Sequence, residues 1–114
     1  QIRDFVSVEH IAQANMLAMD SKNATGTMFN VASGKSTSIK ELLETLQKIT
    51  NTTDIGYEFG PNRKGDVKFG RASIEKIQKY LKYEPNISLE YGLGQTVDFL
   101  KTKTRCPPIT QSAL

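Results

Sequence analysis

The hydrophobic positions fall into two patterns of period two and several of period three to four. Residues 2 to 8, Ile-Arg-Asp-Phe-Val-Ser-Val, mix β-branched and aromatic side chains and predict a short extended segment. Ile11, Ala14, Leu17 and Ala18 then share one face of a helix, which fades at Ser21-Lys22-Asn23 before Gly26. Thr27 to Ala32 predicts a strand with Phe29 and Val31 on one side. Ser38-Ile-Lys-Glu41 has the spacing of a capping box. Behind it Ile39, Leu42, Leu43, Leu46 and Ile49 form the clearest apolar stripe, ended by Asn51-Thr-Thr. Ile55, Tyr57 and Phe59 alternate with Gly56 and Glu58 as a half-buried strand would. A third helix begins near Ser73, with Ile74, Ile77 and Leu81 inward, and ends at Glu84-Pro85. A fourth begins at Ser88 with Leu89, Leu93, Val97 and Leu100 inward. It carries Gly92 and Gly94, each costing about 1 kcal/mol relative to alanine.

About four helices with two or three short strands predict an α/β fold, bordering on α+β, whose sheet is incomplete as it stands. A length of 114 residues suits one domain. Residues 1–102 carry the periodic pattern, and 103–114, with Pro107-Pro108, are expected to form a loose tail. Hydrophobic residues at 38% and charged residues at 24% exclude a disordered or fibrous chain. No apolar run approaches the roughly 20 residues of a membrane span. The opening Gln1-Ile2-Arg3-Asp4 is neither a signal nor a transit peptide. Lacking an initial Met, the chain is expected to be a processed product or a piece of something longer.

One cysteine, Cys106, excludes an internal disulfide framework, and one histidine excludes a multi-histidine metal site. A reducing, cytoplasmic setting fits this usage best. Three Asn-x-Ser/Thr matches, at Asn23, Asn51 and Asn86, read as chance. His10 is expected to be exposed in the first turn of its helix. The segment Phe29 to Ser36 ends Gly-Lys-Ser like a phosphate loop, but Phe29 stands where the first glycine is needed, so it reads as a polar strand-to-helix loop.

The net charge of +3 is uneven: residues 61–83 hold seven positive and two negative side chains. Within that stretch Arg63 offers a planar fork for phosphate, Gly65 permits a tight turn, and Asp66 can accept two hydroxyls of a ribose. Arg3 is a second cation able to bind phosphate or to pair with a carboxylate. Spacing alone leaves a solvated charged turn, or a basic interaction surface for an acidic partner, as alternatives.

Four ordered blocks add a resemblance. Arg3-Asp-Phe-Val-Ser-Val-Glu-His-Ile-Ala12 resembles R-D-F/Y-V-x-V-x-D-V-A. Met28 to Ile39 resembles F-N-V-G-x-G-x-x-x-S-I. Gly60-Pro-Asn-Arg-Lys-Gly-Asp-Val67 resembles P-x-R-x-G-D, and Ser73 to Leu93 resembles D-I-x-K-A-x-x-x-L-G-Y-x-P-x-x-x-L-E-E-G-L. Together they resemble the C-terminal part of the NAD-dependent nucleotide-sugar epimerase/dehydratase family, extended short-chain dehydrogenases, and most of all its UDP-sugar 4-epimerases. Dehydratase and decarboxylase relatives are the alternatives.

The resemblance implies that Arg3 and Arg63 reach the diphosphate of a UDP-sugar and that Asp66 binds the ribose hydroxyls. Gly70, four residues after that aspartate, matches a position where a small side chain admits an N-acetyl group, which leans toward a UDP-N-acetylhexosamine or a broad substrate, with UDP-glucose/galactose left open. It further implies that NAD removes hydride from sugar C4 and returns it to the other face, in a Rossmann lobe that this chain lacks. The chain has no glycine fingerprint, and Tyr57, Tyr80, Tyr83 and Tyr91 are followed four residues on by Pro61, Glu84, Ile87 and Gln95, never by lysine. No residue here is therefore assigned to catalysis or to the cofactor, and the chain alone is expected to be inactive. Its expected partners are the UDP-sugar and the missing lobe, with neither nucleic acid nor membrane, and an apolar face that self-association could cover. His10, Ala32 and Gly94 depart from the family's usual Asp, Gly and charged residue.

Overall fold

The computed structural model describes residues 1–103. In chain order it contains β1 (Ile2–Arg3), α1 (Val8–Asp20), a 3-10 turn (Lys22–Ala24), β2 (Thr37–Ser38), α2 (Ile39–Thr50), α3 (Glu75–Leu81) and α4 (Leu89–Thr102). The sequence-predicted tail from 104 onward, with Cys106, lies outside the described residues.

Three of the four helices begin where a serine can cap them. Ser7 Oγ accepts the Glu9 amide, and Ser88 Oγ accepts the Tyr91 amide at 3.1 Å. At α2 the predicted capping box is complete: Ser38 Oγ accepts Glu41 N–H at 3.1 Å, and the Glu41 carboxylate accepts the Ser38 amide at 2.7 Å. Those bonds, the backbone one above all, hold the Glu41 carboxyl below its ordinary pKa. The stop signals differ. Asn51 ends α2 in the left-handed region at φ 54, as asparagine does readily. Lys82 ends α3 at φ 53, which costs a non-glycine residue about 1 kcal/mol.

The core lies between α1 and α3. Ala14, Ile77, Leu81 and Tyr83 are buried there, with Leu17, Ala18, Phe29, Val31 and Ile74 packed against them. α2 packs on α4 as a second pair, but no residue of α2 is fully buried, so its apolar stripe is only partly covered.

Neither of the longer predicted strands forms. Phe29 and Val31 do turn inward, alternating with exposed Met28 and Asn30, yet no ladder runs along Thr27 to Ala32. A strand needs a hydrogen-bonding neighbour, and none of the described residues supplies one. Lys76 Nζ instead reaches the Met28 carbonyl at 2.8 Å, and the Tyr83 hydroxyl reaches that of Ala32 at 2.8 Å. Ile55, Tyr57 and Phe59 are 59%, 45% and 73% exposed, so the second predicted strand has the alternation without the buried face.

The pairing that forms is shorter: β1 falls within the extended segment expected over residues 2 to 8, and β2 lies outside both longer predicted strands. β1 runs antiparallel to β2, with Ile2 opposite Ser38 and Arg3 opposite Thr37. On its other side Ile2 bridges Phe69 in parallel: its amide donates to Lys68 O and its carbonyl accepts from Gly70 N, both at 2.9 Å. Residues 2–3 are thus the central rib of a three-segment seam.

His10 corrects the sequence expectation. It is 1% exposed, and its Nε2 accepts the Ile87 amide at 3.0 Å. Its ring meets Tyr83 edge-on at 6.2 Å. The segment 82–88, which helical periodicity on α1 says nothing about, folds over it. An acceptor at Nε2 places the proton of the neutral ring on Nδ1, which is buried without a partner. Desolvation lowers the His10 pKa below 6.5, opposed in part by the Glu9 carboxylate. Burial, helped by the Asp4 carboxylate, raises that of the Tyr83 phenol.

Two predictions test this packing. Gly94 lies inside α4 with open space where a side chain would go, so Gly94→Ala should stabilise the chain by about 0.5–1 kcal/mol. Gly34 has φ +75, and a Cβ there would stand 2.8 Å from Ile74 Cδ1, so Gly34→Ala should lower the denaturation midpoint. Opposite signs in urea titrations check both.

A further prediction concerns pH. An unfolded His10 takes up its proton near pH 6.5, whereas the folded one resists. The unfolded state then binds more protons, so stability falls as pH drops below 6.5. His10→Gln keeps an acceptor for Ile87 without titrating. The stability difference between wild type and this variant should therefore shift against wild type from pH 7 to pH 5. Parallel curves would contradict the burial of a neutral ring.

Candidate nucleotide-sugar site

The seam delivers the site residues. Arg3 leaves the central rib, and the third segment of the seam is the outgoing arm of the turn at 63–66. In that turn the Asp66 amide donates to the Arg63 carbonyl at 3.2 Å, and Gly65 takes φ +84 at the third position. That conformation is the reason a glycine stands between the arginine and the aspartate.

Arg3 Nη2 meets Asp66 Oδ1 at 2.9 Å, joining residues 63 apart in sequence. Arg3 Nη1 donates to the Ile2 carbonyl at 2.9 Å, the same oxygen that accepts the Gly70 amide. Gln1 Nε2 donates to the other oxygen of Asp66. The Arg3 and Asp66 side chains are 27% and 33% exposed, so the pair is half-shielded but open to a ligand. A carboxylate has about four lone-pair sites, which leaves acceptor capacity on Asp66 for hydroxyl donors.

Of the four residues singled out in the sequence, three come together: Arg3, Asp66 and Gly70. The Arg3 stem lies across Gly70. Arg63 stands exposed at the start of the same turn, and its guanidinium makes no hydrogen bond or ion pair among the described residues.

Sequence reasoning missed two contributors. Gln1 has no motif to mark it. Asp4 accepts from Ser33 N at 2.8 Å, Ser33 Oγ at 2.5 Å and Gly34 N at 2.9 Å. The loop that resembled a phosphate cradle is thus filled by the chain's own carboxylate, which repels the anion the loop would need to hold. Arg71 Nη2 caps the Gly34 carbonyl at 3.1 Å. Arg71 and Lys76 therefore serve the fold, and the basic surplus of 61–83 is smaller than its count suggests. Among the described residues no group of three or more His, Cys, Asp or Glu could hold a metal, and no helix is long and apolar enough to cross a membrane.

Beside this edge lies an apolar cleft of about 630 Å³. Phe5, Val6, Ile87, Leu89, Leu93 and Phe99 form its walls. Val8 at its rim is 79% exposed.

No family model matches the chain. Individual proteins do. The UDP-glucose 4-epimerase of Mycolicibacterium smegmatis is 30% identical over 103 residues, 90% of this chain and 32% of that protein. Among solved structures, the Thermotoga maritima UDP-glucose 4-epimerase with UDP-glucose superposes with a TM-score of 0.82 at 34% identity, over 90% of this chain and 32% of that one. A Bacillus cereus UDP-glucuronic acid 4-epimerase, solved with a fluorinated UDP-glucuronic acid and NAD, gives 0.82 at 28% identity, over 90% and 33%. The chain spans about a third of the length of the curated relatives it matches. With the capped helices, the seam and these similarities in agreement, the chain belongs to the NAD-dependent nucleotide-sugar epimerase/dehydratase family of extended short-chain dehydrogenases and corresponds to the C-terminal part of its members.

Proposed function

We propose that residues 1–102 form the nucleotide-sugar-binding lobe of an NAD-dependent UDP-sugar 4-epimerase. The observation that carries this reading is the seam that joins Arg3 to Asp66 and lays Gly70 beside them, with Arg63 at the start of the same turn. Arg3 and Arg63 would neutralise the diphosphate with charge-assisted hydrogen bonds, and Asp66 would accept from the ribose diol. Gln1 and Arg3 hold the two carboxylate oxygens in place before the nucleotide arrives.

The chain's own residues do not fit a dinucleotide. The loop at Ser33-Gly34 is closed by Asp4, and no glycine fingerprint is present. NAD, which supplies hydride acceptance and return in this family, would sit in the remainder of the protein. In this reading that remainder covers the apolar cleft at Phe5, Leu93 and Phe99. Alone, the chain would bind the nucleotide and leave the sugar unchanged.

Titrating the isotope-labelled chain with UDP should move the amide resonances around residues 3, 63 and 66. Arg3→Ala, Arg63→Ala and Asp66→Ala should each weaken binding by about tenfold, the worth of one charge-assisted hydrogen bond. Silence at all three segments at saturating UDP would overturn the assignment of the site. An RNA that produced the same shifts, with a steep salt dependence and no need for Asp66, would favour a basic interaction module instead.

A further inference from the structure

We infer that Gly70 is a positioning residue for the nucleotide half of the site, because it is the seat on which the Arg3 side chain lies. This rests on the reading of Arg3 and Asp66 as diphosphate and ribose ligands, and it moves the role of Gly70 from the sugar to the arginine.

A Cβ on Gly70 would stand 3.3 Å from Arg3 Cδ, 3.7 Å from Nη1 and 3.8 Å from Nε. The first distance is tighter than an ordinary carbon–carbon contact, so the stem would have to lift by a few tenths of an ångström. Most arginines could do so freely. This one is held at both terminal nitrogens: Nη1 on the Ile2 carbonyl and Nη2 on Asp66 Oδ1, each at 2.9 Å. Residue 70 cannot retreat either, because its amide is fixed to the same Ile2 carbonyl at 2.9 Å. Gly70 is not among the positive-φ glycines, Gly26, Gly34 and Gly65, so alanine would meet no backbone strain there. The cost of a side chain at this position falls on the Arg3–Asp66 arrangement.

The test compares UDP with UDP-N-acetylglucosamine as ligands of the full chain, by calorimetry, for wild type, Gly70→Ala, Arg3→Ala and the double variant. Gly70→Ala should weaken both ligands equally, by about fivefold to tenfold, and should have no further effect in the Arg3→Ala background. Unchanged UDP affinity with loss confined to the sugar nucleotide would overturn the inference and return Gly70 to the sugar. Should wild type bind neither ligand, the reading of the site fails and the seat is judged without ligand. The Arg3 guanidinium resonances, slowed in solvent exchange by Asp66, should then be visible in wild type and lost in Gly70→Ala; their persistence would overturn the inference. If Gly70→Ala does not fold, recovery of folding in Arg3→Ala/Gly70→Ala would support the contact. Failure of both would show that the backbone itself requires glycine and overturn it.

Discussion

Everything about the candidate site depends on Ile2 being hydrogen-bonded on both sides. A two-residue strand has little stability by itself, since an isolated pair of strands is marginal in water. Here it is flanked by β2 on one edge and by residues 68–70 on the other. The seam therefore fixes three remote segments with a handful of backbone bonds. Register follows from the same constraint. Sliding Ile2 by one residue would put Arg3 on the opposite face and separate it from Asp66. The ion pair is a consequence of that register, and at its exposure it contributes on the order of 1 kcal/mol or less.

Away from the seam, polar side chains take the place of the missing ladders. Asp4 holds the Ser33-Gly34 loop, Tyr83 holds Ala32, and His10 holds Ile87. Each is a side chain satisfying a backbone group that a longer sheet or helix would otherwise have to satisfy. This arrangement is specific but intolerant. Removing any one of them strands a donor or acceptor, which costs about 1–3 kcal/mol where it is buried. His10 already leaves Nδ1 unmatched, so that corner carries a polar group the fold does not repay.

The helices were legible because their signals are local. Ser38 and Glu41 sit three residues apart, and the serines at 7 and 88 need only the next turn. The extended segment at 2 to 8 supplied β1, but the two longer strands did not form, because alternation reports half-burial and is silent about a hydrogen-bonding neighbour. Phe29 and Val31 met the burial half of that forecast; Ile55, Tyr57 and Phe59 met neither half. In the site, Gly65 announced its turn, and Arg3, Arg63 and Asp66 were marked by the resemblance. Their grouping, and the parts played by Gln1 and Asp4, depend on pairings across some 30 to 65 residues. No spacing rule reaches that far.

The misread segment and the open surfaces have one physical cause. Ile55, Tyr57 and Phe59 have strand chemistry with no sheet beside them, and Tyr57 and Phe59 stack edge-on at 5.4 Å as the nearest apolar cover. α2 has a strong stripe of which no residue is fully buried, and Val8 and Phe99 line an open cleft while remaining largely exposed. The sequence specifies these faces clearly, yet they stay partly open among the described residues. The site is built on the opposite principle. Arg3, Asp66, Gly70 and Gln1 complete their mutual contacts within the chain. The candidate site is therefore organised within the chain, whereas the apolar cleft and the stripe of α2 remain partly open among the described residues.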